Sequence, residues 1–170
     1  MSNSPVSAVT IRAAVERDAP AIAALHNHYV QRSTATFEES SVSVSDMASR
    51  ILAVLSVPLP WLIAERENAL VGYTYASKWR TRSGYRFSVE VSVYVDPKCS
   101  GEGVGSMLYR ALLERLREAN VHAVMGGIAL PNDASIALHE KFGFTKVAHF
   151  RDVGFKFGQW IDVGYWHTLL

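Results

Sequence analysis

The sequence predicts an α/β fold of the mixed, α+β kind: a single layer of mixed β-sheet flanked by helices. It assigns one domain to residues 9–170, behind a polar segment at residues 1–8. Three observations carry this. Hydrophobic periodicity alternates between strand and helix in the order β-α-α-β-β-β-α-β-α-β-β. The apolar run Val89-Glu90-Val91-Ser92-Val93-Tyr94-Val95 passes through a glycine-rich turn directly into a helical pattern. At 170 residues with 49% hydrophobic content, the chain has material for one core, and no repeat or linker divides it.

The elements follow in order. Residues 9–12 read as a short strand. Asp18-Ala19-Pro20 opens a helix with an acidic cap and an early proline, placing Ile22, Leu25 and Tyr29 on one face. Ser45-Asp46 starts a second helix carrying Met47, Ile51 and Leu55, which Pro58 and Pro60 stop. Residues 61–64 and 70–77 flank a turn at Glu67-Asn68, a hairpin signal. A long strand is expected over residues 86–95, ended by Asp96-Pro97, then a helix over 106–118 and a strand over 122–128. Asn132-Asp133 caps a further helix that stops at Gly143, and residues 144–151 and 161–168 form a closing antiparallel pair.

Composition narrows the function classes. A net charge of +1 gives no electrostatic case for nucleic acid or a membrane surface. The single cysteine, Cys99, precludes an intramolecular disulfide and reads as a loop residue. No apolar run reaches the ~18 residues of a transmembrane span, and residues 1–8 are uncharged, unlike a signal peptide. A cytoplasmic protein is expected. His26 and His28 point to different helix faces with no cysteine or carboxylate cluster beside them, so no metal site is expected.

The turn Ser100-Gly101-Glu102-Gly103-Val104-Gly105-Ser106 is the chain's most specific feature. Backbone N–H groups converge at a helix N-terminus there, where unpaired donors and the helix dipole favour phosphate or pyrophosphate. The lysine of a Walker A loop is missing. The G-x-G-x-x-G spacing of a dinucleotide fingerprint is missing too, as is an acidic residue in the following strand. Coenzyme A remains.

With this loop, the element order and the segment Asn132-Asp133-Ala134-Ser135-Ile136-Ala137-Leu138-His139-Glu140-Lys141-Phe142-Gly143-Phe144, the chain resembles the GNAT superfamily of acetyl-CoA-dependent N-acetyltransferases. Trp79-Arg80 with Tyr85-Arg86, the strand around Glu90, and Gly154-Phe155-Lys156-Phe157-Gly158-Gln159-Trp160-Ile161-Asp162-Val163-Gly164 resemble its phosphinothricin acetyltransferase-like branch. Members of that branch acetylate phosphinothricin, methionine sulfoximine or methionine sulfone. The resemblance spans residues 9–168. One position departs from it: the superfamily loop usually begins with Gln or Arg, and Ser100 stands there.

The resemblance implies a GNAT fold and direct transfer of acetyl from acetyl-CoA to the α-amine of a small amino-acid analogue. Glu90 matches the general base. A carboxylate inside a valine-rich strand is costly unless it is paired, for example with Arg86, or working. His139 stands where many superfamily members carry a tyrosine that protonates the leaving thiolate; a histidine there could donate to the thiolate or share in deprotonating the amine, and a core histidine is the bland alternative. Backbone groups of Val93, Tyr94 and Val95 are implied to pair with pantetheine and polarise the thioester, and Gly101, Glu102, Gly103, Val104, Gly105 and Ser106 to hold the pyrophosphate. Asn132, Ser135 and Lys141 are implied cofactor contacts, although capping alone explains Asn132.

For the acceptor, Arg80 and Arg86 are expected at the ends of consecutive strands, converging on one carboxylate, with Phe37, Trp79 and Tyr85 as walls. Glu38 has no assigned role. A homodimer is implied by the branch, with the apolar C-terminal end, residues 165–170, as part of its interface. Two alternatives stay open: a GNAT enzyme for another amine (a polyamine, an aminoglycoside or a protein N-terminus) and a non-catalytic acyl-CoA-binding module.

Overall fold

A computed structural model describes residues 8–170, so most of the polar segment at residues 1–8 lies outside the described residues. Seven strands form one sheet in the order β1-β2-β3-β4-β5-β7-β6. They are β1 (Thr10–Ala13), β2 (Trp61–Arg66), β3 (Ala69–Lys78), β4 (Ser88–Val95), β5 (Ala123–Ala129), β6 (Thr145–Lys156) and β7 (Gln159–Leu169). Every neighbouring pair is antiparallel except β4 and β5, which run parallel. Two-residue turns close two of the hairpins. Both residues of each turn, Glu67-Asn68 and Phe157-Gly158, have positive φ, the geometry whose twist matches the flanking strands.

Four helices cover the two faces: α1 (Ala19–Arg32), α2 (Val44–Leu55), α3 (Val104–Glu118) and α4 (Asp133–Lys141). In α3, Leu108, Leu112 and Leu116 recur every four residues and are fully buried with Tyr109. They pack on Val89, Val91, Val124 and Trp166, while Ile136 and Leu138 of α4 lean on the same cluster. Ile22 of α1 with Met47 and Ile51 of α2 fills the opposite face against Trp61, Ile63, Tyr73 and Tyr94. Alternation along β4 thus sends its odd-numbered side chains towards α3 and its even-numbered ones towards α1 and α2.

Several expected boundaries move. β4 begins at Ser88, and Tyr85 and Arg86 lie in and just after a 3₁₀ turn, Ser83–Tyr85. Asp18 precedes α1 without capping it, because its carboxylate is taken by Arg12 (2.8 Å from each oxygen) and by the Val15 N–H. Helix α2 starts earlier than expected, where the Ser43 hydroxyl accepts from the Asp46 N–H. The closing strands run well past their predicted ends. Cys99 is buried beneath the glycine turn.

Candidate active site

The site begins with a fork in the sheet. β4 and β5 pair only at Ser88↔Ala123, Val89↔Val124 and Glu90↔Met125, then part. β4 stays bonded to β3 as far as Val95, and β5 to β7 as far as Ala129. The Asp96 N–H donates to Val71 O and the Trp79 N–H to Ser88 O, so even-numbered residues of β4 spend their backbone groups on β3. By alternation, the N–H and C=O groups of Val91, Val93 and Val95 face the opening. Of the three residues expected to pair with pantetheine, Val93 and Val95 therefore present backbone and Tyr94 does not. The Val95 carbonyl also accepts from the Tyr29 hydroxyl at 2.6 Å.

The opening is a cleft of about 910 Å³ that continues to the glycine turn and the first turn of α4. Gly101 and Gly103 have φ of +79° and +83°, and a Cβ at either would touch nothing within 4 Å. Backbone conformation, and not space, selects glycine there. Gly105 differs: a Cβ would meet Leu138 at 3.3 Å, so it permits α4 to approach α3. Gly103 precedes the first helical residue, Val104, two residues earlier than expected. The N–H groups of Val104, Gly105 and Ser106 have no intrahelical acceptor, and with the helix dipole they form an anion seat. The side chain of Glu102 is pulled aside by Arg66 at 2.6 Å. Lys141 donates to the Ser106 hydroxyl at 2.9 Å across the mouth of the cleft. Asn132 caps α4 by accepting from the Ser135 N–H; both residues line the cleft, as does Ser100.

Glu90 stands at the apex, the last residue of β4 that β5 pairs. A Cβ on Gly127 would lie 3.0 Å from its Oε1. Burial raises its pKa, opposed by the Tyr165 hydroxyl and by the charge of Arg80. Arg86 is not its partner. Trp79 and Phe150 each meet Tyr165 edge-on, at 5.4 and 5.9 Å, and Arg80 lies over Trp79 at 4.9 Å.

His139 occupies the other face of the sheet. Its ring covers Gly126, where any Cβ would overlap it. Nδ1 lies 2.7 Å from Ser135 O, and a carbonyl only accepts, so Nδ1 carries the proton. Nε2 then accepts from the Tyr109 hydroxyl at 2.8 Å. Burial lowers the imidazole pKa, so the ring is neutral near pH 7. Gly126 and Gly127 point to opposite faces, which puts His139 and Glu90 on opposite sides of the fork.

The two arginines expected at the acceptor each lean on an adjacent ring. Arg86 stacks on Phe87 at 4.5 Å and donates to Ser83 O, and Tyr85 is exposed beside it. Phe37 lies against Gly154 on the loop after α1. Glu38 receives a two-point contact from Arg50 (2.7 and 3.0 Å) and lies 3.2 Å from His26 Nε2, tying that loop to both helices. Sequence reasoning did not single out Tyr109, Tyr165, Gly126 or Gly127. The glycine doublet inside a strand was the available signal, since such glycines mark close approach.

Residues 11–164 match the acetyltransferase (GNAT) domain family. The chain belongs to the GNAT acetyltransferase family. It is 41% identical to a phosphinothricin N-acetyltransferase of Alcaligenes faecalis over 91% of this chain and 79% of that protein. It is 36% identical to an L-methionine sulfoximine/L-methionine sulfone acetyltransferase of Salmonella typhimurium over 91% of each. Among solved structures, yncA of Salmonella typhimurium with its cofactor acetyl-CoA superposes with a TM-score of 0.93 at 35% identity, covering 96% of this chain and 94% of that one. A ribosomal-protein-alanine N-acetyltransferase of Brucella melitensis superposes with a TM-score of 0.92 at 37% identity, covering 95% and 99%. Among the described residues, no group of three or more His, Cys, Asp or Glu could hold a metal ion, and no helix is long and apolar enough to cross a membrane.

Proposed function

We propose that this GNAT domain, residues 9–170, transfers acetyl from acetyl-CoA directly to the α-amine of a small amino-acid analogue of the phosphinothricin, methionine sulfone or methionine sulfoximine type. The observation that carries the reading is Glu90 at the apex of the fork, half-buried and with a raised pKa, beside bare backbone on the odd-numbered edge of β4. The fit to acetyl-CoA rests on that edge, which takes pantetheine as an added strand, and on the Val104–Ser106 amides, which take the pyrophosphate. Lys141, Ser135 and Asn132 border the same seat.

In the reaction, Glu90 accepts a proton from the amine, directly or through water. The free amine attacks the thioester carbon, and the Val93 N–H stabilises the developing oxyanion. The C–S bond breaks with its electron pair on sulfur. We assign the relay of the second proton, shed by the attacking nitrogen as the amide forms, to His139 on the α3–α4 face of the cleft: its neutral Nε2 takes that proton in exchange for the Tyr109 hydroxyl and passes it to the thiolate. A carboxylate of ordinary pKa would be a poor base for an α-amine of pKa near ~8, and the raised value narrows that gap. Arg80, held over Trp79 and next to Glu90, is the better placed arginine for an acceptor carboxylate.

We further infer a cytoplasmic homodimer. Its interface would be the β6–β7 hairpin, where Val147, Val153, Phe155, Phe157 and Trp160 are each more than half-exposed or nearly so. The C-terminal end is the poorer candidate, since Trp166 is 2% exposed and Leu170 packs on the core. A second reading, acetylation of another amine such as a protein N-terminus, is favoured by the likeness to the ribosomal-protein-alanine N-acetyltransferase of Brucella melitensis. Thiol release from acetyl-CoA decides between them across phosphinothricin, methionine sulfone, methionine sulfoximine, spermidine and a peptide. Turnover of the amino-acid analogues alone is expected. Turnover of the peptide or spermidine alone would replace the reading, and binding of acetyl-CoA with no turnover of any amine would favour an acyl-CoA-binding module.

A further inference from the structure

Lys156 ends β6, next to the turn Phe157-Gly158, and its side chain is 1% exposed. Among the described residues, no carboxylate pairs with it directly. Its Nζ donates at 2.7 Å to Ser33 O and at 2.7 Å to Thr36 O, more than a hundred residues away in the chain, with the Phe157 ring 4.9 Å off. Glu38 and Glu39 contribute only their longer-range charge. An ammonium group taken out of water is costly unless its donors are used, so this arrangement persists only with the turn after α1 held in one shape. Ser33 is the residue at which α1 ends, where the helix dipole favours a cation.

The turn held in this way forms part of the cleft. Ser33, Thr34 and Ala35 line it. The Thr36 side chain interacts with the Tyr94 hydroxyl, on the face of β4 that also carries Glu90. Two residues before Lys156, on the same face of β6, Gly154 leaves room for the Phe37 ring, which a Cβ would strike. From the far side, Arg50 and His26 hold Glu38. The α3–α4 face, with the glycine turn, takes no part in these contacts.

We propose that Lys156 is a positioning residue for the acceptor: it fixes the turn Ser33–Thr36 as one wall of the acceptor side of the cleft without touching the reacting groups. This rests on the acceptor reading above. It separates the two substrates energetically, because the wall it holds lies on the Glu90 face and the anion seat lies on the other.

The test uses Lys156→Met, which keeps the buried stem and removes the donors, with methionine sulfone as acceptor. The KM for methionine sulfone should rise about tenfold or more, the scale of losing a charge-assisted hydrogen bond. The KM for acetyl-CoA should change less than twofold. Amide hydrogen exchange over residues 34–38 should accelerate at least tenfold while α3 stays protected. If Lys156→Met does not fold, Gly154→Ala displaces Phe37 without unpairing a buried charge and should give the same split. An unchanged KM for methionine sulfone, or equal rises for both substrates, would overturn the proposal, as would unchanged exchange in residues 34–38. Failure of the unaltered enzyme to acetylate any amino-acid analogue would overturn the functional reading instead, and the exchange measurement would still decide the clamp.

Discussion

The two sides of the fork are built from different materials. The α3–α4 side offers backbone: the free Val104–Ser106 amides behind two glycines at positive φ, next to the odd-numbered edge of β4. The Glu90 side is assembled from side chains that four separate segments deliver: Glu90, Tyr165, Trp79 with Arg80, and the loop carrying Phe37. A backbone site is written in consecutive residues and depends on local conformation. A side-chain site depends on register between strands far apart in sequence. The first suits a cofactor shared across a family, and the second can change its acceptor by changing walls.

This contrast gives four predictions, beginning with the largest effect. Glu90→Gln should lower kcat by about 10²–10⁴-fold and leave the dissociation constant for acetyl-CoA unchanged, as read by steady-state kinetics and calorimetry. Because burial raises the Glu90 pKa, its ionised form is the costly one in the folded protein. Any stability that Glu90 contributes belongs to its protonated form and is lost as pH rises through the raised pKa. At pH 7 the glutamine variant should therefore match or exceed the parent Tm. The parent kcat/KM should fall as pH drops through that pKa, above the usual carboxylate range, and the variant should lose this limb. A variant that loses acetyl-CoA binding as well would break the division between the two sides.

Gly103→Asp forces a side chain and a negative charge onto a left-handed position at the helix N-terminus. The KM for acetyl-CoA should rise roughly tenfold or more, the scale of up to ~2 kcal/mol for an anion at a helix end, with the acceptor KM nearly unchanged. Tyr109→Phe tests the α3–α4 side more gently. It leaves His139 Nε2 buried without its donor and should cost about 1–3 kcal/mol in denaturant melts. If His139 relays the nitrogen's proton to the thiolate, kcat should fall and its solvent isotope effect should change. If His139 only fills the space over Gly126, stability alone should move. The smallest effect is expected at Glu38→Gln. Its contact with Arg50 is half-exposed, so stability should drop by no more than about 1 kcal/mol, with a modest rise in acceptor KM.

Particular residues show how far the sequence could be read. The turn from Ser100 to Ser106 was legible because strand, glycines and helix are adjacent, and the anion seat they form needs no partner from elsewhere. Glu90 was legible as an anomaly, a carboxylate in an apolar strand. The strand expected from Arg86 starts at Ser88 instead, because a 3₁₀ turn occupies Ser83–Tyr85 and the Arg86 guanidinium stacks on Phe87. The predicted Asp18 cap failed because Arg12 and Glu65 form a network that a cap rule cannot anticipate.

The order of elements, the mixed sheet, the glycine turn and the family to which they point can be read along the chain, because periodicity and backbone conformation are properties of neighbouring residues. That β4 and β5 part after Glu90, that Glu90 and His139 face opposite sides of the sheet, and that the Ser135 carbonyl fixes the imidazole tautomer emerge only in the folded chain. It alone joined Lys156 to Ser33 and Thr36. Each of these depends on strand register and on desolvation by distant segments, and neither exists until the core has closed.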